Sequence, residues 1–357
     1  MGIRELVDRV VKRNNQGIVA VQVPAAGTGG EPPLEFVPGQ VYLEVRLQQM
    51  WLTRARELWR EYLPFGTIVT EFVHKGKPVA VPTVLSSAEL SRRFQVTGAD
   101  DAVEVGNIRV AGPVPYEGDE FSLLVALFRA KTTDWIARSL KVVEDVAGAV
   151  GFGGLAGAVP LASSLIRGIE SFLESPDIEL RVGAYRSWQH GGPGGLVPLH
   201  FCVMRRPHAE TSAADLAALR VSEGRLHRLR PDGVTLEPYT EHDFILVSVE
   251  AKQERDDYRK LAFYPLWERT KEQVIAGDLG PAQRTWRQTA GAIFSDDLTR
   301  PQQETLFAEY QRLYAELVDR FANLELADLR GHRPGGGPTP ELRLVDDPAT
   351  LLRSAGA

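Results

Sequence analysis

The spacing of apolar and polar positions divides the chain into a β-rich stretch followed by a helical one. The first residues carry a 3.6-period stripe, Ile3, Leu6, Val7, Val10 and Val11, which predicts a helix over 1–14. Residues 17–24 read as a strand. Over 40–47 the period falls to two: Val41, Leu43, Val45 and Leu47 alternate with Tyr42, Glu44 and Arg46, as in a half-buried strand. The period then lengthens again. Trp51, Leu52, Ala55, Leu58, Trp59, Tyr62 and Leu63 share one helical face, and Pro64 would close that helix. Residues 67–82 form a hairpin pattern about Lys75-Gly76-Lys77, and 88–95 fit a short helix.

Strands are predicted at 102–110 and 120–130. The second is apolar on both faces, so it belongs in the middle of a sheet. A helical hairpin follows over 131–174, with Gly151, Gly153 and Gly154 at its turn. Strand patterns resume at 178–188, 197–206, around Glu223-Gly224, at 233–237 and at 243–251. After Ala251 the period is helical over 256–276, 281–294 and 299–323. Thr299-Arg-Pro-Gln302 fits a capping box at the start of the last helix.

These elements predict an α+β fold. A β-sandwich-like region, 15–252, carries the inserted helical hairpin 131–174; a C-terminal helical region, 253–326, follows, and a loose tail, 327–357, ends the chain. No internal repeat of solenoid length is present.

Charge narrows the function classes. Lys and Arg number 41 against 47 Asp and Glu, a net charge of −6, which disfavours a general nucleic-acid binder. The single cysteine, Cys202, excludes an intrachain disulfide and a cysteine-rich zinc site. The opening stretch lacks the apolar run of a signal peptide, so the expected compartment is the cytoplasm. The bias toward Arg, Ala, Gly and Val suits a GC-rich bacterial gene.

Candidate chemistry is sparse. Glu250 and Lys252 form an E-x-K at the end of a buried strand, the arrangement in which a carboxylate holds Mg²⁺ and a lysine activates water. The acidic residue upstream, Asp243, is seven positions away on the same strand, too far to share an ion. Asp232 or Glu237 would have to supply the second carboxylate. An ion pair on a solvated face is the plainer reading. His200 and Cys202 share a strand face at a spacing too long for a Cys–His couple, so Cys202 reads as a small core residue. The glycines at 151–157 follow a helix, not a strand, and so fail as a dinucleotide fingerprint. Residues 225–230 read as a charged edge strand.

Two segments point to partners. Residues 146–166 run without a charge, within an apolar hairpin over 142–173. Phe152, Leu155, Val159, Leu161, Leu165 and Ile166 are its packing face, or its membrane face if the hairpin leaves the core after activation. In the tail, Leu342, Leu344, Val345, Leu351 and Leu352 are aliphatics suited to docking on a partner. The expected function is therefore a non-catalytic bacterial interaction or scaffold protein, an accessory or regulatory component of a conflict (defence) system. It would have a protein partner and no cofactor or metal. The alternatives are a membrane-perturbing effector and a metal-dependent nuclease through Glu250 and Lys252. Oligomeric state is left open.

Overall fold

A computed structural model gives the arrangement. It describes residues 10, 17–26, 34–53, 56–57, 60–61, 63–86, 103–130, 174, 177–191, 195–207 and 211–330. Their strands are β1 (Ile18–Val23), β2 (Tyr42–Leu52), β3 (Arg56–Glu57), β4 (Arg60–Glu61), β5 (Leu63–His74), β6 (Lys77–Ser86), β7 (Val103–Pro115) and β8 (Phe121–Ala130). Then come β9 (Ile178–Trp188), β10 (Leu199–Arg205), β11 (Leu219–Ser222), β12 (Arg225–Leu229), β13 (Leu236–Pro238) and β14 (Phe244–Lys252). A one-turn helix, α1 (Ala213–Ala217), precedes β11; α2 (Phe263–Ile275), α3 (Leu279–Ile293) and α4 (Arg300–Arg330) follow β14.

Two antiparallel sheets face each other, in the orders β1-β10-β14-β2-β7 and β6-β5-β8-β9. Their inner faces supply one core, with Leu43, Val45, Leu47, Val247 and Val249 from the first sheet against Ile68, Leu123, Val125, Leu127 and Val182 from the second. The fold is thus the expected α+β arrangement of a sheet-rich region and C-terminal helices. β8 lies between β5 and β9 and is buried on both faces, as its composition requires. The β5–β6 hairpin turns at Lys75-Gly76, both at positive φ (56° and 65°), the backbone of a type I′ turn.

The outer face of the five-stranded sheet is covered at one side by the small sheet β11-β12-β13 and at the other by the helices. The small sheet packs Leu219, Val221, Leu226 and Tyr239 on Cys202, Met204, Phe244 and Leu246. Tyr42 enters an aromatic helical core with Phe263, Trp267 and Tyr310.

Several expectations are corrected. Residues 51–63 are not a helix: Trp51 and Leu52 end β2, short β3 and β4 follow, and Pro64 lies in β5. Residues 225–230 are not an edge, because β12 is the middle strand of its sheet. Its Arg228 pairs with Glu241 and lies over the Tyr239 ring. The Thr299–Gln302 capping box does not form. Gln302 instead bonds both backbone groups of Arg255, while Thr299 donates its amide to the Tyr42 hydroxyl at 2.8 Å. The last helix runs to Arg330, past its expected end at 323. Apart from Val10 and Glu174, the helix over 1–14, that over 88–95, the hairpin over 131–174 and the tail from 331 fall outside the described residues.

Strand registers give the sandwich two different ends. At one, Tyr42 pairs with Pro115 and Lys252, and the helices attach. At the other, Leu52 pairs with Val103, Phe65 with Ser86 and Phe128, and Ala130 with Leu63 and Ile178. The connections 53–62, 87–102 and 131–177 therefore all leave from the end opposite the helices.

Candidate functional site

Between the small sheet and the helices, the outer face of the five-stranded sheet is polar. Strand alternation places Glu44 and Arg46 of β2, Ser248, Glu250 and Lys252 of β14, and His200 of β10 on this face. A register shift near Leu246 and Val247 adds to it. Gln48 is left without a register partner, and Gln48 and Gln49 both bond toward the outer face. Gln48 donates to Ser248 at 2.7 Å and Glu250 at 3.2 Å; Gln49 accepts the Leu226 amide at 2.8 Å, tying down the small sheet.

Glu250 and Lys252 meet at 2.7 Å, the ion pair that their spacing suggests. The carboxylate nearest Glu250 in the sheet is one that sequence reasoning missed. Glu44 is its register partner across β2 and β14. Asp232 and Glu237 are elsewhere: Asp232 accepts from Val234, Thr235 and the Thr235 hydroxyl, and Glu237 pairs with Arg230. Asp243 bonds Thr53 and Arg181, at the far end of β14.

Glu44 is 2% exposed and is held by two guanidinium groups, Arg46 and Arg109, each at 2.7 Å. Arg109 also reaches Asp256 at 2.7 Å, and Arg46 reaches Asn107 at 2.9 Å. Burial raises the Glu250 carboxyl, but the Lys252 and Ser248 hydrogen bonds and the Lys252 and Arg46 charges outweigh it and leave it below its ordinary value. Burial lowers His200, against the pull of Glu250, and so favours its neutral ring. Burial also pushes the Cys202 thiol well up, which removes the thiolate a nucleophile needs.

Chemically this strip is a closed charge network. Two carboxylates stand side by side, as a two-carboxylate cation site requires. Yet both Glu44 oxygens hold arginines, and the Glu250 oxygens hold Ser248, Gln48 and Lys252. A divalent ion would have to displace those partners. Among the described residues no group of three or more His, Cys, Asp or Glu is placed to hold a metal ion.

The other candidate is the end opposite the helices. The strand ends from which the three connections leave carry a braced set of polar groups. Asp243 accepts from the Thr53 amide and hydroxyl, at 2.8 and 2.6 Å, and from Arg181 at 2.7 Å. Glu179 holds Arg129 and Arg181, each at 2.6 Å. Asp243 joins the two sheets through Arg181 of β9, and burial of its carboxyl is outweighed by the Thr53 bonds and the Arg181 charge. The hairpin residues Phe152, Leu155, Val159, Leu161, Leu165 and Ile166 belong to the 131–177 connection and lie outside the described residues, as do Leu342, Leu344, Val345, Leu351 and Leu352. No described helix is long and apolar enough to cross a membrane.

No protein-family model, curated protein or solved structure matches the chain.

Proposed function

We propose that the chain is a non-catalytic interaction protein, an accessory or scaffold component that binds its partner at the end of the sandwich opposite the helices. One observation carries this reading: the strand registers gather the three long connections at that single end. Ala130 and Ile178 are register partners, so a turn of about two residues would join them. Between them the chain instead carries residues 131–177, including the uncharged run 146–166. Long connections of this kind, carried on a rigid sandwich, are where binding residues concentrate. The Asp243–Arg181–Glu179 bracing supplies the rigidity. The polar strip supports the reading from the other direction, since its charges are spent on one another.

The test uses two variants of the full chain. One replaces 87–102 by a Gly/Ser linker of equal length; the other replaces 131–177 by Asn-Gly. Partners cross-linked in cells of the source organism are identified for each. Loss of the same partner in a variant that keeps its cooperative melting supports the reading, as does its retention when Lys75, at the helical end, becomes Glu. Unchanged partners in both folded variants overturn it. Dye release from liposomes by the full chain without an activator would replace it with the membrane-perturbing reading.

A further inference from the structure

A cleft opens where the sandwich meets the first turns of α4. It holds about 410 Å³, within the range of roughly 300–1,000 Å³ that small-molecule sites occupy. Leu34, Val37 and Val41 line it from the sandwich, and Pro301, Gln302 and Thr305 from α4. Val37 is 46% exposed, so part of this apolar lining is open to water. Glu35 lies in the same sandwich loop, and Glu254 in the link that follows β14. Neither carboxylate has an ion-pair or hydrogen-bond partner among the described residues. The described lining contains no lysine or arginine and no aromatic ring.

We propose that this cleft binds a small aliphatic diamine, its ammonium groups at Glu35 and Glu254 and its methylenes on Leu34, Val37 and Pro301. The start of a helix ordinarily favours an anion. Here the donors that an anion would use are spent. The Arg300 amide goes to the Gly39 carbonyl at 3.2 Å and the Gln303 amide to the Thr299 carbonyl at 2.9 Å, while residue 301 is a proline without an N–H. The carboxylates therefore set the sign of the ligand. A third stands further along α4. Glu309 shares the helix face of Gln302 and Thr305, and its Oε2 is buried without a hydrogen-bond partner. Burial holds its carboxyl above its ordinary value and the charge of Glu254 adds to this, against Arg312 and Arg259. Without an aromatic ring the cleft offers no cage for a quaternary ammonium. Primary ammonium groups, which donate to carboxylates, on a hydrocarbon chain fit its lining. The cleft lies at the helical end, so this binding is separate from partner binding at the other end of the sandwich.

Methyl-labelled full chain, observed by NMR at physiological ionic strength, tests this with the five-carbon diamine cadaverine. The methyl signals of Leu34, Val37 and Val41 are expected to shift saturably, with a Kd of about millimolar. The matching uncharged diol is expected to leave them in place. Glu35→Gln and Glu254→Gln together should weaken binding about tenfold, about threefold for each exposed charge. Val37→Lys, which puts an ammonium into the cleft from the protein itself, should abolish it. All three side chains are exposed, so both variants are expected to keep the wild-type melting temperature. Four results overturn the proposal: no saturable shift; equal shifts with the diol; unchanged affinity in both variants; or shifts that spread over other acidic surface and vanish with added salt, which is counterion attraction only. N-acetyl-lysine amide bound as tightly as cadaverine also overturns it, because one ammonium would then suffice and a lysine of a protein partner would be the occupant.

Discussion

Glu44 shows how much of the polar strip depends on one carboxylate. Removing one partner of a buried ion pair costs about 3–5 kcal/mol, because the other charge is left uncompensated. Here the partners Arg46 and Arg109 are 21% and 30% exposed, so water can take up part of the loss. Glu44→Gln is therefore expected to cost about 1–3 kcal/mol in urea denaturation. A pH series separates the role of Glu250. Its carboxyl sits below the ordinary value in the fold, so its contribution is full above the unfolded value and is lost as pH falls through the folded one. Glu250→Gln should flatten the acid side of the stability profile, at pH below about 5, and leave its shape above pH 6 unchanged. An unaltered acid side would show that Lys252 and Ser248 do not hold the charge. Only half of this pair was legible in the sequence. Glu250 and Lys252 are two apart on one strand, so alternation alone puts them together. Glu44 reaches them through the β2–β14 register, which no local pattern encodes.

Among elements, hairpins were readable because their turn chemistry is local, and the stretch after Thr53 was not. Trp51 and Leu52 match a helical stripe, but here they point to opposite sides, Trp51 packing on the core beneath the small sheet and Leu52 on the other face. The irregular pairing at Gln48 and Gln49 upsets the alternation just before, which hides the strand from a period-two reading. The same irregularity makes a test. Gly224, in the β11–β12 turn, has φ +75°, and a Cβ there would lie 2.5 Å from Gln48 Oε1. Gly233 has φ +72° and open space around it. Gly233→Ala should therefore cost only the left-handed backbone, about 1 kcal/mol. Gly224→Ala should cost about 1 kcal/mol more, because Gln48 must move and its bonds to Ser248 and Glu250 go with it. Equal losses in thermal unfolding would show that Gln48 yields freely and that the small sheet is not held at this point.

At the scale of the molecule, the helices and the sandwich meet, among the described residues, around Tyr42 and a short set of polar links. Tyr42 is the sandwich's contribution to the aromatic core of the bundle. The described polar links are the Thr299 amide to Tyr42, Arg300 to the Gly39 carbonyl, Arg109 to Asp256, and Asp297 with His74 and Lys75. Within the bundle, contacts are dense. Trp267 meets Tyr310 edge-on with centroids at 5.1 Å, and Trp286 stacks on Tyr314 at 5.1 Å. A small core joined to a larger one by a narrow contact has its own opening free energy. The bundle is therefore expected to open before the sandwich: in urea, amides of α2, α3 and the first half of α4 lose protection at a lower concentration than those of β2, β8 and β14. Acid should widen the gap. Asp297 is held below its ordinary value by His74 and then Lys75, and Asp256 by Arg109. Both contributions are full above the unfolded carboxyl value of about 3.9 and fade as pH falls through the lower folded ones. Asp297→Asn should reproduce at pH 7 part of the separation that wild type shows near pH 3. Hydrogen exchange across a urea series follows each segment directly. Loss of protection at one common urea concentration, at both pH values, would show that the bundle and the sandwich form a single cooperative unit in spite of the narrow contact.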